Sequence, residues 1–320
     1  MACPMNLAVP RPKLRLRQAM LPADMLAPLP PRWRVFGAIR AVRRLLAVAI
    51  WTLLAMAIQS VLLLIPGRTG LGAAKRAFPR FYWGSLCWLI GLKVRIIGAP
   101  AHRTADGRPI IYVCNHTSWL DVLVLGAQLD ACFIAKTEVG TWPLIGWIAR
   151  LGRTAFTSRQ RARTAGERDA MRERLDSGDS LILFPEGTSS DGSRVMPFRS
   201  AFLSLAEAPT GAANRPPLVQ PVSLVFDRLA GMPVGRSNRL VFAWYGDMDL
   251  ASHAWPLLQM TDMGATMLLH APINPEAFPS RKSLTAATYR AVADGAATLR
   301  QNRPVTEASP EAEFGGAAYA

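Results

Sequence analysis

Ile110-Ile-Tyr-Val-Cys-Asn-His-Thr-Ser-Trp-Leu-Asp121 is the stretch that decides the fold. β-Prone apolar residues follow Pro109 without interruption and stop at polar Asn115, so Ile110–Cys114 reads as a buried strand. The chain then turns into a helical pattern carrying Trp119, Val122, Leu123 and Leu125, expected as a helix over 117–128. Thr117 or Ser118 is placed to cap it, and His116 stands just outside. Inside an ideal helix, residues five apart would point about 140° away from each other, at 3.6 residues per turn. From the entry turn, however, the His116 imidazole can fold back onto the carboxylate of Asp121. Such a pair suits general-base catalysis: the imidazole removes a proton, and the carboxylate fixes its tautomer and stabilises the imidazolium that forms.

A second buried strand, Leu181–Phe184, runs into Pro185-Glu186-Gly187-Thr188-Ser189-Ser190. Proline and glycine around a glutamate force a tight turn, which presents a carboxylate, backbone N–H groups and hydroxyls at a strand end. Such a turn suits a polyol or phosphate headgroup. Further strands are expected at 93–97, 132–135, 154–156, 219–224, 240–244 and 266–270, with helices at 143–151, 159–177, 200–207 and 283–300. This alternation predicts an α/β fold, a mixed, largely parallel sheet flanked by helices. Working residues in such sheets gather at the C-terminal ends of the strands.

The net charge of +15 is unevenly spread. Residues 1–98 hold 15 Lys/Arg and one acid, Asp24, a net of +14, which leaves +1 for the rest of the chain. Half the residues are hydrophobic, and a basic, apolar N-terminal third fits an anionic membrane surface. Nucleic acid would need the excess in a folded domain with exposed aromatics, whereas here it flanks an apolar segment. Leu45–Ile65 is 21 residues long with Gln59 as its one strongly polar member, enough to cross about 30 Å of hydrocarbon. Phe81–Leu92, with Tyr82, Trp83 and Trp88, is short for a span and suits an interfacial position. The organisation expected is a flexible basic arm over 1–32, a membrane-anchoring segment over 33–92 (transmembrane or re-entrant at 45–65, interfacial at 81–92), a catalytic domain over 93–303 and a disordered tail over 304–320. Cys3, Cys87, Cys114 and Cys132 make no CxxC or disulfide-framework spacing, which points to reduced thiols on the cytosolic side.

These boxes resemble the glycerophosphate acyltransferase family, the lysophospholipid acyltransferases of the bacterial 1-acylglycerol-3-phosphate type. His-x4-Asp stands at His116 and Asp121, and Phe-Pro-Glu-Gly-Thr at Phe184–Thr188. A strand ending in arginine between them, Leu151 to Arg159, is similar to the family's phosphate-contacting box, and Val219-Gln-Pro-Val222 to its last. The resemblance implies the glycerophosphate acyltransferase fold over roughly residues 80–270. It also implies fatty acyl transfer from a thioester of acyl carrier protein or coenzyme A to the free hydroxyl of a lysolipid, without metal or redox cofactor. His116 would be the general base and Asp121 its orienter; Glu186, Gly187 and Thr188 would hold the acceptor headgroup, and Arg159 its negative charge. Membrane lipids are expected partners, and the inner membrane the location, with the catalytic domain on the cytoplasmic side.

In many phosphatidate-forming relatives a basic residue follows Glu-Gly-Thr at once. Here Ser189-Ser-Asp-Gly-Ser193 intervenes before Arg194, and this run, with Trp244-Tyr-Gly-Asp-Met248 and His253, looks like the branch that acylates lyso-ornithine lipid. Both acceptors stay open on the sequence. Cys114 is close enough to His116 to suggest an acyl-enzyme, but its place inside an apolar strand suits a buried small residue better. His102, His253 and His270 make no metal-ligand spacing with His116. The rival class is a catalytically inactive membrane protein that binds acidic lipids. His116, Asp121 and Glu186 occurring together argue against it.

Overall fold

The structure is a computed structural model of the chain, and it describes residues 31–65, 72–101, 107–136, 155–157, 171–210 and 214–305. The expected arm, the tail beyond 305, the 143–151 helix and most of the 159–177 helix, together with His102 and Arg159, lie outside the described residues.

Among the described residues two helices come first, α1 over Pro31–Leu64 and α2 over Gly72–Ile90. The strands and helices that follow are β1 (Leu92–Ile97), β2 (Ile110–Cys114), α3 (Leu120–Gln128), β3 (Cys132–Lys136), β4 (Ala155–Thr157), β5 (Leu181–Leu183), β6 (Leu218–Leu229), β7 (Met232–Pro233), α4 (Leu250–Gln259), β8 (Met263–Leu269) and α5 (Arg281–Arg300). They build one sheet in the order β1-β8-β6-β2-β5-β3-β4, with β7 paired to β6. All neighbours run parallel except β6 with β8 and with β7. The mixed, largely parallel sheet is therefore present. β2 and β5, the two strands that deliver the motifs, lie side by side, Val113 opposite Leu183. Every residue of both strands is buried, as expected where helices cover both faces of a parallel sheet.

Proline is unusual inside a central strand because it lacks an N–H for the ladder. Pro221 is tolerated in β6 because its β8 pairing begins only at Val222 opposite Leu269, and the Pro221 carbonyl accepts from His270 N at 3.0 Å just past that end.

Two local expectations are corrected, and one helix is added. Residues 240–244 are not a strand: Arg236–Val241 forms a 3₁₀ helix, and the run then turns through Phe242 N to Arg239 O and Ala243 N to Leu240 O. Its apolar character serves burial instead of extension, with Phe242 stacked on Phe226 of β6 at 5.1 Å. Ser200–Ala206 is likewise 3₁₀. The periodicity also missed α4, which carries a proline at 256 and is capped by Asp249, whose side chain accepts from Ser252 N.

The N-terminal pair is fixed to the body by polar contacts on one side. Arg44 Nη1 donates to Leu258 O at 2.9 Å and Met260 O at 2.6 Å at the end of α4. Trp51 Nε1 reaches Ser85 Oγ at 2.6 Å, and Thr52 Oγ1 and Tyr82 Oη share a hydrogen bond at 2.9 Å between α1 and α2. Tyr82, Leu86, Cys87 and Ile90 of α2 enter the main core with Leu120, Val124 and Leu125 of α3. The opposite side of α1 is apolar and exposed through Phe36, Ile39, Leu46, Ile50, Leu53 and Leu64, joined by Phe81 and Trp88 of α2. The stretch 34–64 is long and apolar enough to cross a membrane and is mostly exposed, unlike a core helix of a soluble protein.

Candidate active site

β2 ends at Cys114, and the next residue sets the direction of the loop. Asn115 Nδ2 donates to Leu224 O and its Oδ1 accepts from Leu224 N, both at 2.9 Å. The side-chain amide thus continues the ladder to β6 in place of a peptide group. His116 leaves the sheet from this fixed point. Its Nδ1 lies 2.8 Å from Asp121 Oδ2. The same oxygen accepts from Thr117 N at 2.7 Å and Ser118 N at 2.9 Å. The expected Thr117 or Ser118 cap is therefore reversed: α3 has Trp119 at its N-cap with no side-chain cap, and Asp121 in the first turn reaches back to the donors ahead of it. One buried carboxylate holds both the imidazole and the loop that carries it.

Glu186 holds the other side. Its Oε1 accepts from His116 N at 2.8 Å and its Oε2 from Met196 N at 3.1 Å. Only 2% of the residue is exposed. Burial raises the Glu186 carboxyl to about 7, opposed by the two backbone N–H bonds, with Asp121 raising it further and Arg300 lowering it. The carboxylate that the resemblance assigns to the headgroup is turned inward onto main chain. Gly187 has φ +74 and closes the turn by donating to Phe184 O at 3.1 Å. A Cβ there would sit 3.2 Å from the Arg199 guanidinium, so glycine meets both a conformational and a packing demand. Thr188 is exposed. Phe184 stacks under the His116 ring at 4.2 Å and 21°.

The serine-rich departure after Glu-Gly-Thr also has a place. Ser190 donates to His116 O twice, from N at 2.9 Å and from Oγ at 3.0 Å. Trp244 N donates to Thr117 O at 2.9 Å. His253 Nδ1 accepts from Trp119 Nε1 at 3.1 Å, and burial drives this imidazole down to about 4, partly offset by a backbone bond to Ala243. Glu186, Ser190, Trp244 and His253 thus brace the His116 loop by hydrogen bonds, and the last three had entered the sequence reading only through the branch resemblance.

Cys114 is fully buried. Burial, then Asp121 and Glu186, raises its thiol well above the ordinary value, which disfavours the thiolate an acyl-enzyme needs. Among the described residues no three His, Cys, Asp or Glu side chains converge as a metal site requires.

A partly exposed histidine paired with a buried aspartate lies at the C-terminal edge of a mixed α/β sheet, beside a glutamate turn on the neighbouring strand, an arrangement chemically suited to activating a hydroxyl for group transfer. Comparison with known proteins agrees. The acyltransferase family model matches residues 94–225. The lyso-ornithine lipid O-acyltransferase of Brucella abortus is 34% identical over 66% of this chain and 78% of its own length. That of Rhizobium meliloti is 37% identical over 58% and 63%, and the 1-acyl-sn-glycerol-3-phosphate acyltransferase of Neisseria gonorrhoeae 34% over 37% and 44%. The solved 1-acyl-sn-glycerophosphate acyltransferase of Thermotoga maritima shares the fold, with TM-score 0.63 at 18% identity over 86% of this chain and all of that one. The chain belongs to the acyltransferase family, the glycerophosphate and lysophospholipid acyltransferases.

Proposed function

We propose that this enzyme moves a fatty acyl group from a thioester, on acyl carrier protein or coenzyme A, to the hydroxyl of lyso-ornithine lipid at a membrane surface. The observation that carries the mechanism is the 2.8 Å contact between His116 Nδ1 and Asp121 Oδ2. With Nδ1 committed to the carboxylate, Nε2 is the nitrogen left to take the acceptor's hydroxyl proton. The oxygen then attacks the thioester carbonyl carbon; a C–O bond forms, the C–S bond breaks, and the proton passes from His116 to the departing thiolate. Asp121 stabilises the imidazolium between these steps. No resident cofactor or metal has a part in this scheme.

The choice of acceptor is supported by four relatives named lyso-ornithine lipid O-acyltransferase, at 32 to 37% identity, and by Ser189–Ser193 standing where phosphatidate-forming relatives carry a basic residue. A second acceptor, 1-acylglycerol 3-phosphate, is favoured by the match to the Neisseria enzyme, with Arg159 as the residue to hold its phosphate. The exposed apolar side of α1 and α2 supports seating on a membrane. Cys87 and Cys114, buried thiols outside any disulfide, are consistent with the cytoplasmic face of the inner membrane.

Membranes containing the protein are offered labelled acyl carrier protein or coenzyme A thioesters with each lysolipid separately, beside a His116→Ala control. Diacylated ornithine lipid should form and vanish in the control. Product from 1-acylglycerol 3-phosphate alone would shift the assignment to the second acceptor, and undiminished transfer by His116→Ala would sink the general-base mechanism.

A further inference from the structure

Arg300, the last residue of α5, borders the site without having been marked by any motif. Leu299 packs with Val195 in one core cluster, and Val195 precedes Met196, whose N–H holds Glu186. The C-terminus of α5 thus abuts the loop that closes on His116. Arg239 Nη2 donates to Arg300 O at 2.8 Å, which ties the 236–241 turn to the same corner. Gly192 lies between them, with its Cβ position 3.1 Å from Thr117 Cγ2 and 3.8 Å from Arg239 O.

The Arg300 guanidinium is half-buried yet makes no hydrogen bond or ion pair among the described residues. Burial and the neighbouring Arg239 lower it to about 10, against the pull of Glu186 and Asp191. A cation that has lost much of its water and makes no direct ion pair is costly unless a ligand supplies one. Across the loop, Asp191 Oδ1 accepts from Ser193 N at 2.9 Å and Ser193 Oγ at 2.6 Å, and its Oδ2 makes no hydrogen bond among the described residues. One unpaired cation and one carboxylate with a spare oxygen therefore flank the same corner.

We propose that Arg300, with Arg239 beside it, binds the carboxylate of a zwitterionic acceptor headgroup while Asp191 binds its ammonium. Ornithine has one carboxylate and two amines; an amide to a fatty acid uses one amine and leaves this pair of charges. The proposal rests on the lyso-ornithine lipid reading of the acceptor. It gives the serine-rich insertion a second task, since the run that ties Ser190 to His116 also presents Asp191.

The test compares wild type, Arg300→Gln, Arg300→Lys and Asp191→Asn on lyso-ornithine lipid, on its carboxyl methyl ester and on 1-acylglycerol 3-phosphate. Arg300→Gln should raise KM for the free acid by roughly 10- to 100-fold, as expected for loss of a charged hydrogen bond, with kcat nearly unchanged and partial recovery in Arg300→Lys. Wild type should discriminate against the methyl ester by a similar factor, and Arg300→Gln should not. Unchanged KM in Arg300→Gln, or equal use of acid and ester by wild type, overturns the site while the acceptor reading survives. Wild-type activity on 1-acylglycerol 3-phosphate alone overturns the acceptor reading, and with it a zwitterion site, and an Arg300→Gln effect there would reassign the arginine to phosphate.

Discussion

The edge of the sheet around His116 and the outer side of α1 are built on opposite plans. At the edge, two nearly inaccessible carboxylates take four backbone N–H groups and an imidazole, three of these donors converging on Asp121 Oδ2, so each group is held in one position. Along α1, Phe36, Ile39, Leu46, Ile50 and Leu53 face outward as exposed apolar surface. Chemistry needs geometry fixed to fractions of an ångström, whereas a surface that meets lipid needs area, and area is redundant. Substitutions in the two regions should therefore differ in kind: abrupt at the edge, graded on the helix.

The largest effect is expected from Asp121→Asn. The amide cannot serve three donors, and the imidazole loses its orienter, so kcat should fall by roughly 10²–10⁴, with a stability loss of about 1–3 kcal/mol from the stranded backbone donors. Steady-state kinetics and thermal unfolding in detergent check both. Glu186→Gln comes next. The new amide NH₂ must face either His116 N–H or Met196 N–H, so activity should drop with His116 and Asp121 both intact. Its pH behaviour sharpens the point: because the folded carboxyl titrates near 7 and the free one near 4.5, Glu186 makes wild type progressively less stable, relative to Glu186→Gln, as pH rises between these values, and the difference should level off above 7. A constant difference across that window would contradict the buried, proton-binding state.

On the helix, Ile50→Lys with Leu54→Lys should leave kcat in detergent unchanged while weakening binding to anionic vesicles by on the order of tenfold or more; flotation with vesicles measures it. Equal binding would remove α1 from the lipid contact. The smallest effect concerns His253. Its folded imidazole titrates near 4 against an ordinary 6.5, so its stabilising contribution is complete above 6.5 and is lost as pH falls toward 4. His253→Gln keeps an acceptor for Trp119 and should make the loss of stability between pH 6.5 and 4 smaller than in wild type; His270, also lowered to about 4 by burial, acts in the same sense and Glu186 in the opposite one.

The lesson about legibility follows the same division. β2 was readable to the residue, because five consecutive apolar, β-prone positions allow little else. The His116–Asp121 pair was readable because both partners lie within one turn of chain. The 240–244 run was misread because a short apolar stretch reports burial without reporting backbone conformation, and the packing of Phe242 on Phe226 decided for a 3₁₀ turn. Glu186 was legible as important, but the direction of its carboxylate was not.

The sequence by itself determined which side chains could do chemistry, the strand–turn–helix around His116, the apolar length of α1 and the alternation that makes a layered sheet, since all of these are local periodicities or short-range pairs. Tertiary structure alone decided that Glu186 would hold the His116 backbone from 70 positions away, that Ser190 would close on the His116 carbonyl 74 positions away, that His253 would accept the Trp119 indole hydrogen bond across 134, and that Arg300 would arrive at the same corner. Those contacts depend on β5 lying beside β2, and on α5 packing against β6, arrangements fixed by the burial of whole faces at once and written in no single stretch of chain.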